Sequence, residues 1–334
     1  MSIPTASVST ATQAPAPAPK GPALARRILE PANLAEWAAL IGLVVLVVVF
    51  QSLNGTFLSP GNIQAMLVAA AILVVLAIGQ TFVIATAGID LSVASTMTLA
   101  AVVFGTAFAA DWPLAAAILL AILVGGLVGA VNGLLVSRGK ITDFIVTLGT
   151  LSAASGLALI IADGKPKTII NPVLLRLSTG TIGVFGYSFI IAVVLAVLAH
   201  VVLFHTRFGT YVLATGGNPD AANAAGVSTN RVKTAVYVIS GCLAGIASIL
   251  LVARVGASEP AANTSFLLNS VAAVVLGGVS LFGGRATILG PIIGALLLTA
   301  LVNGLTLLGV SQFYQPLSVG VVVVLAALLT RFQK

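Results

Sequence analysis

The sequence predicts an all-α protein, a polytopic membrane helical bundle of about ten transmembrane helices. Three observations lead there. Hydrophobic residues fill 59% of the 334 positions and charged residues only 7%, against roughly 25% charged in ordinary soluble domains. Apolar runs near the ~20 residues that cross a hydrocarbon core recur along the whole chain. The fifteen lysines and arginines fall in the short connections, and the 34 glycines suit closely packed membrane helices. Backbone polar groups in lipid must be satisfied within their own segment, so the runs read as helices.

Residues 1–34 read as a disordered cytoplasmic tail and residues 35–334 as the transmembrane domain. The tail is rich in Ala, Pro, Ser and Thr, including APAPAPKGPA, and lacks the apolar surface to fold. Its Lys20, Arg26 and Arg27 precede the first run, Trp37 to Leu53, as the basic region of a signal peptide would. That run is long enough to span and reads as an uncleaved helix. The second run, Ile63 to Thr86, follows the Ser59-Pro60-Gly61-Asn62 turn. After the Gly88 interruption, Asp90 and Ser92 offer caps for a third helix ending near Ala110.

The turn Asp111-Trp112-Pro113 leads to a fourth helix, Leu114 to Val136, then to basic Arg138 and Lys140. A fifth spans Phe144 to Ala162. Residues 163–187 read as a longer loop with Gly and Pro, and the sixth helix covers Phe189 to Phe204. The remaining four run from Val232 to Val255, Phe266 to Phe282, Ile288 to Leu308, and Phe313 to just before Arg331, with Pro316 tolerated in the first turn of the last. Ten crossings put both termini on one side. If that side is the cytoplasm, eleven basic residues lie inside and four, Lys165, Lys167, Arg176 and Arg254, outside. The positive-inside bias therefore makes residues 207–233 a cytoplasmic loop and residues 163–187 an external one.

Inside the cytoplasmic loop, the stretch from Gly217 to Gly226 carries the marks of a very short helix. Asn218 suits the cap, Pro219 the first helical position, Asp220 the positive end and Gly226 the left-handed stop. Between them lie only Ala221, Ala222, Asn223, Ala224 and Ala225. A helix so far below the ~12 residues of marginal stability needs a surface to pack on. Its small side chains suit a groove on another protein; an ordinary capped turn between two membrane helices is the other reading.

The chain has no G-x-x-x-x-G-K-[ST] phosphate loop, so nucleotide chemistry has to come from elsewhere. An ion-coupled carrier or channel acting without an ATPase is the alternative, yet the ionisable residues near the helices reduce to Asp90 and Arg254, both close to helix ends. Asp90 sits in TAGIDLSVAS, Thr86 to Ser95. It reads either as part of an irregular segment lining a pathway or, with Ser92, as a helix cap. The candidate pathway residues are Asp90, Ser92, Ser95, Asn132, Asn269 and Asn303. Such hydroxyls and amides suit a hydroxyl-rich solute and serve equally well as hydrogen bonds between helices. Cys242, His200 and His205 offer no metal cluster or disulfide, and no catalytic triad spacing appears. The basic residues form no patch with interleaved aromatics, which argues against nucleic acid and for contact with membrane lipid. The tetrapeptide VNGL occurs at Val131 to Leu134 and again at Val302 to Leu305. Five helices apart, the two copies fit a 5+5 inverted repeat, or are a coincidence in a Gly-rich apolar chain.

GIDLSVAS (Gly88 to Ser95), ATGGNPDAANAAGVSTNRVK (Ala214 to Lys233) and AAVVLGGVSLFGGRATILGPIIGALLL (Ala272 to Leu298) together resemble the permease subunits of ABC importers for monosaccharides, of the ribose, xylose and galactose type. The resemblance covers roughly residues 35–330. It implies a multi-pass protein of the bacterial inner membrane and a second permease copy, as a homodimer. A cytoplasmic ABC ATPase subunit would hold ATP and Mg, leaving no cofactor on this chain, and a periplasmic or extracellular binding protein would deliver solute to the external loops. In that family a short cytoplasmic helix docks into the ATPase, and Asn218 to Ala225 is the matching stretch. The chain departs from the family pattern at Leu267-Leu268-Asn269, where Glu-Leu-Asp is frequent, at Ala94 and Ala286 in place of glycines, and at Pro291. Related permeases carry branched-chain amino acids or nucleosides, which leaves the solute open.

Overall fold

The structure, a computed structural model, describes residues 31–261 and 264–331; residues 1–30 of the expected tail lie outside them. Helices α1 (Pro31–Leu53), α2 (Pro60–Ala85), α3 (Val93–Ala109), α4 (Leu114–Ser137) and α5 (Asp143–Ala162) come first. Next are strand β1 (Lys167–Thr168), helix α6 (Pro172–Thr179), strands β2 (Thr181–Ile182) and β3 (Phe185–Gly186), and helix α7 (Tyr187–His205). Two short helices follow, α8 (Arg207–Gly217) and α9 (Pro219–Ala224), and then α10 (Thr229–Val255). Strand β4 (Ala257–Ser258) precedes α11 (Thr264–Leu276), α12 (Leu289–Leu307) and α13 (Gln315–Arg331).

The ten predicted apolar runs all appear as helices, in the predicted order. Six of them, α2, α4, α5, α7, α10 and α12, are long and apolar enough to cross a membrane, and α1, α3, α11 and α13 carry shorter apolar segments. The expected eighth run, Phe266 to Phe282, is cut short at Leu276. There the Gly277 backbone abuts that of Gly290, and Gly278, Gly283 and Gly284 take positive φ, so residues 277–288 turn irregularly. The expected loop 163–187 holds α6 and three short strands. β1 pairs antiparallel with β4, Lys167 opposite Ser258, and β2 with β3. The Asn171 side chain caps α6, accepting from the Val173 N–H at 2.8 Å.

The core is built on α2, in which every residue from Ala70 to Ala85 is buried. A helix apolar on all sides is stable only when surrounded, and α7, α10, α11 and α12 surround it. Lipid tails are as apolar as leucine, so helix association in a membrane depends on close packing rather than on burial from water. The tightest seam runs between α4 and α10. Gly125, Gly129 and Gly133, spaced by four, face the backbones of Gly241, Tyr237 and Thr234, and a Cβ built on Gly133 would lie 2.7 Å from the Thr234 Cα. Thr234 Oγ1 also donates to the Gly133 carbonyl at 3.3 Å. Packing follows a cross-wise plan: α10 lies against α3 and α4, and α2 lies against α11 and α12.

Candidate functional site

Between α2 and α3, residues 86–92 leave the helix and collect polar partners from three other elements. Ala87 takes a left-handed backbone, φ 58°, and Gly88 packs against Val83 and the Tyr237 hydroxyl. The backbone of Ile89 is then held at both its N–H and its carbonyl. Its N–H donates to Asp143 Oδ2 at 2.7 Å in the first turn of α5, and its carbonyl accepts from the Tyr237 hydroxyl of α10 at 3.0 Å and from Thr147 Oγ1 at 3.4 Å.

Asp90, 3% exposed, is fully engaged. Oδ1 accepts from the Ser92 N–H at 2.9 Å and the Ser92 hydroxyl at 2.7 Å, and Oδ2 accepts from the Ser240 hydroxyl at 3.1 Å. Its carbonyl accepts from Gln80 Nε2 at 2.6 Å. Asn132 Nδ2 donates to Ser92 Oγ at 2.8 Å, Thr150 Oγ1 donates to Asn132 Oδ1 at 2.6 Å, and Ser95 Oγ donates to the Ser92 carbonyl at 2.8 Å. Four of the six sequence candidates, Asp90, Ser92, Ser95 and Asn132, thus join one buried network tying α2, α3, α4, α5 and α10. A buried carboxylate is tolerated when donors surround it, and here they are hydroxyls and an amide. Ser92 is the residue before α3, yet its side chain makes no bond to the first turn; it serves Asp90 and Asn132 instead.

The other two candidates stand apart. Asn303 and Asn62 exchange amide hydrogen bonds at 2.9 Å where α12 meets the start of α2. Asn269 faces a groove of about 900 Å³ between α11 and α13, with Ser265, Gln312 and Gln315 as neighbouring polar groups on a largely apolar wall. Asp90 lines neither this groove nor the cavity described below. Sequence reasoning does not single out Asp143, Tyr237 and Ser240. Tyr237 and Ser240 share one face of α10, three residues apart, but nothing local links them to residues 89 and 90.

At the same end of the bundle, α8 and α9 lie on the bend. Gly216 sits directly against the Ala85 carbonyl and the Gly284 amide, and the Gly284 N–H donates to Ala85 O at 3.0 Å. Then α9 begins as its residues predict. Asn218 Oδ1 accepts from the N–H groups of Asp220 at 3.1 Å and Ala221 at 3.0 Å, with Pro219 first in the helix. The end is closed by Gly226, φ 84°, with the Val227 N–H donating to Ala222 O at 2.9 Å. Asn223 Oδ1 accepts from the Thr229 hydroxyl at 2.9 Å, fixing α9 to α10. Only Ala222 is buried; Gly217 to Ala221 and Asn223 to Gly226 are exposed. The result is a smooth, small-residue ridge on a rigid base. Beside it, a cavity of about 400 Å³ opens between α4, α5, α9 and α10. No group of three metal-ligating side chains occurs among the described residues.

Comparison with known proteins gives a consistent picture. Residues 62–329 match the family model described as branched-chain amino acid transport system / permease component. The chain is 36% identical to the ribose import permease protein RbsC of Escherichia coli (strain K12) over 311 residues, covering 91% of this chain and 96% of that protein. It is 39% identical to RbsC of Bacillus subtilis (strain 168), covering 87% and 91%. Against the L-arabinose ABC transporter permease protein AraH of Azospirillum brasilense it is 36% identical, covering 87% of each. No solved structure matches the chain.

Proposed function

The chain belongs to the family of branched-chain amino acid transport system permease components, and on that premise we propose that it forms the membrane pathway of an ATP-driven importer for a monosaccharide. The observation that carries the coupling half of this reading is α9. A six-residue helix, capped at both ends and braced on α10, gives the bundle one buried side chain and turns the rest of its residues outward. It suits a groove on a separate ATPase subunit, which holds ATP and Mg. The sugar class rests on the relatives named for ribose and L-arabinose.

In this reading all ten apolar helices cross the membrane, both termini lie in the cytoplasm of a bacterial inner membrane, and α1 takes in residues 31–34, which the sequence assigns to the tail. The bend at residues 86–92 is then irregular backbone tolerated because protein partners satisfy it, whereas the loop at 277–288 reaches the surface at Leu281 and Phe282. The cross-wise packing of α2 on α11 and α12, and of α10 on α3 and α4, supports a 5+5 inverted repeat. The groove at Asn269 is half of the pathway, completed by a second copy. Its amides suit sugar hydroxyls, and the opposite end of the bundle meets the solute-binding protein. Energy from nucleotide closure enters at α9 and reaches α2 and the 277–288 loop through the Gly216 contact.

Co-expression of the chain with its ATPase and binding protein in proteoliposomes tests the reading. ATP-dependent uptake of a labelled pentose or hexose is expected, and uptake by the chain alone, driven by an ion gradient, would overturn it in favour of a carrier.

A further inference from the structure

The cavity of about 400 Å³ beside α9 is walled by the 86–88 turn, the α4–α5 connection, Pro219 and the first turns of α10. Its polar lining falls into two sets. Asp143 accepts from the N–H groups of Ile89 and Phe144, Tyr237 donates to Ile89, Thr229 to Asn223, and Thr86 to the Val83 carbonyl, while Ser137 shares a hydrogen bond with Thr234. Those groups are spoken for. The side chains of Lys140, Thr142, Asn230 and Lys233 have no hydrogen-bond or ion-pair partner among the described residues. All four donate, and two carry a full positive charge.

We propose that this cavity binds a phosphate-bearing anion. A phosphate presents several acceptor oxygens and negative charge together, which matches two ammonium groups, a hydroxyl and an amide converging on one space. Asp143 brings one carboxylate to the same lining, so the two lysines leave the cavity net positive, a charge that a neutral solute would not meet. The volume exceeds that of a bare phosphate and leaves room for an organic substituent. Lys140 adds a second sign: it holds a left-handed backbone, φ 52°, a conformation that costs energy in a non-glycine residue and recurs at ligand clamps. Two sources share this chemistry. One is a soluble phosphate ester of the cytoplasm. The other is an anionic phospholipid headgroup, since Ile141 lines the cavity at 42% exposure and continues into Phe144 at 50% and Ile145 at 62%, an apolar track for an acyl chain. Bound ligand would join the α4–α5 turn to the start of α10, next to α9 and to the Asp143–Ile89 contact, so occupancy would bias the coupling end toward one arrangement.

The inference rests on the cytoplasmic placement of this end, and its test reads binding to the permease alone, so failure leaves the transport reading standing. The full chain is placed in phosphatidylcholine nanodiscs without ATPase. Its unfolding midpoint is then followed on titration with inorganic phosphate against chloride at equal ionic strength, and separately in nanodiscs containing phosphatidylglycerol. At least one probe is expected to raise the midpoint of the native chain. K140Q/K233Q should weaken that response by about tenfold or more, the loss of charge-assisted hydrogen bonds. K140R/K233R should keep it, and K165Q/K167Q, at the other end, should match the native chain. Response to phosphate identifies a soluble ligand; response to phosphatidylglycerol alone identifies the headgroup. Silence to both probes, or an undiminished response in K140Q/K233Q, sinks the site.

Discussion

The Tyr237 hydroxyl donates to the Ile89 carbonyl at 3.0 Å, joining the first third of α10 to the bend between α2 and α3 across 148 positions of sequence. From the other side, Asp143 takes the Ile89 N–H. One residue therefore ties the α2–α3 bend to both α5 and α10. Tyr237→Phe should destabilise the folded chain by about 1 kcal/mol, the usual net worth of a neutral hydrogen bond, and Asp143→Asn by about 1.5–3 kcal/mol because its bond is charge-assisted. Thermal unfolding in detergent checks both. Equal, negligible shifts would mean that the bend is held by packing alone.

Asp90 is expected to act through the fold. Its carboxylate accepts three hydrogen bonds and is buried away from both large cavities. Asp90→Ala strands buried donors of Ser92 and Ser240 and should lower the yield of folded protein, at about 1–3 kcal/mol. Uptake per folded molecule should stay near the native value in Asp90→Asn, which keeps the shape and one carbonyl acceptor. Quantified transport against folded protein in the membrane decides, and normal yield with abolished uptake would move Asp90 into the pathway.

Two adjacent glycines should behave in opposite ways. A methyl at Gly216 would strike the Ala85 carbonyl and the Gly284 amide, whereas one at Gly217 would meet only the Gly284 Cα at an ordinary 3.7 Å. Gly216→Ala is expected to cost about 1–3 kcal/mol, as overpacking does, and to reduce transport-linked ATP hydrolysis. Gly217→Ala should be close to neutral. Measuring ATPase stimulation by binding protein and substrate in both variants tests whether this seam carries the motion.

Along α9 the split between buried and exposed alanines sets the next expectation. Ala221→Glu with Ala225→Glu alters only the outer surface and should release the ATPase while the permease stays folded. Ala222→Glu, by contrast, puts a charge into a buried position and should lower permease stability itself. Co-purification and thermal unfolding, read together, separate the two effects.

The order of the apolar helices is legible in the sequence because hydropathy and length act locally. The caps of α9 are legible for the same reason: Asn218, Pro219 and Gly226 each satisfy a need of the nearest turn. What stays hidden depends on distant partners. The irregular stretch after Leu276 is apolar enough to pass for helix, and only the meeting of Gly277 with Gly290 ends it. β1 exists because Lys167 and Thr168 pair with Ser258 and Ala257, far along the chain. Asp90, Ser92 and Asn132 stand out as polar residues in apolar runs, but their bonds to Ser240 and Thr150 come from tertiary packing.

The glycine seam between α4 and α10 bears on how such a protein can move. Backbone there lies on backbone without intervening side chains, and α2 packs on α12 in the other direction. The two halves of the chain are laced together like the fingers of clasped hands, and neither can swing against the other without unpicking the lace. If two copies form the pathway as proposed, each subunit is expected to turn as one piece, with the gate in the gap between them.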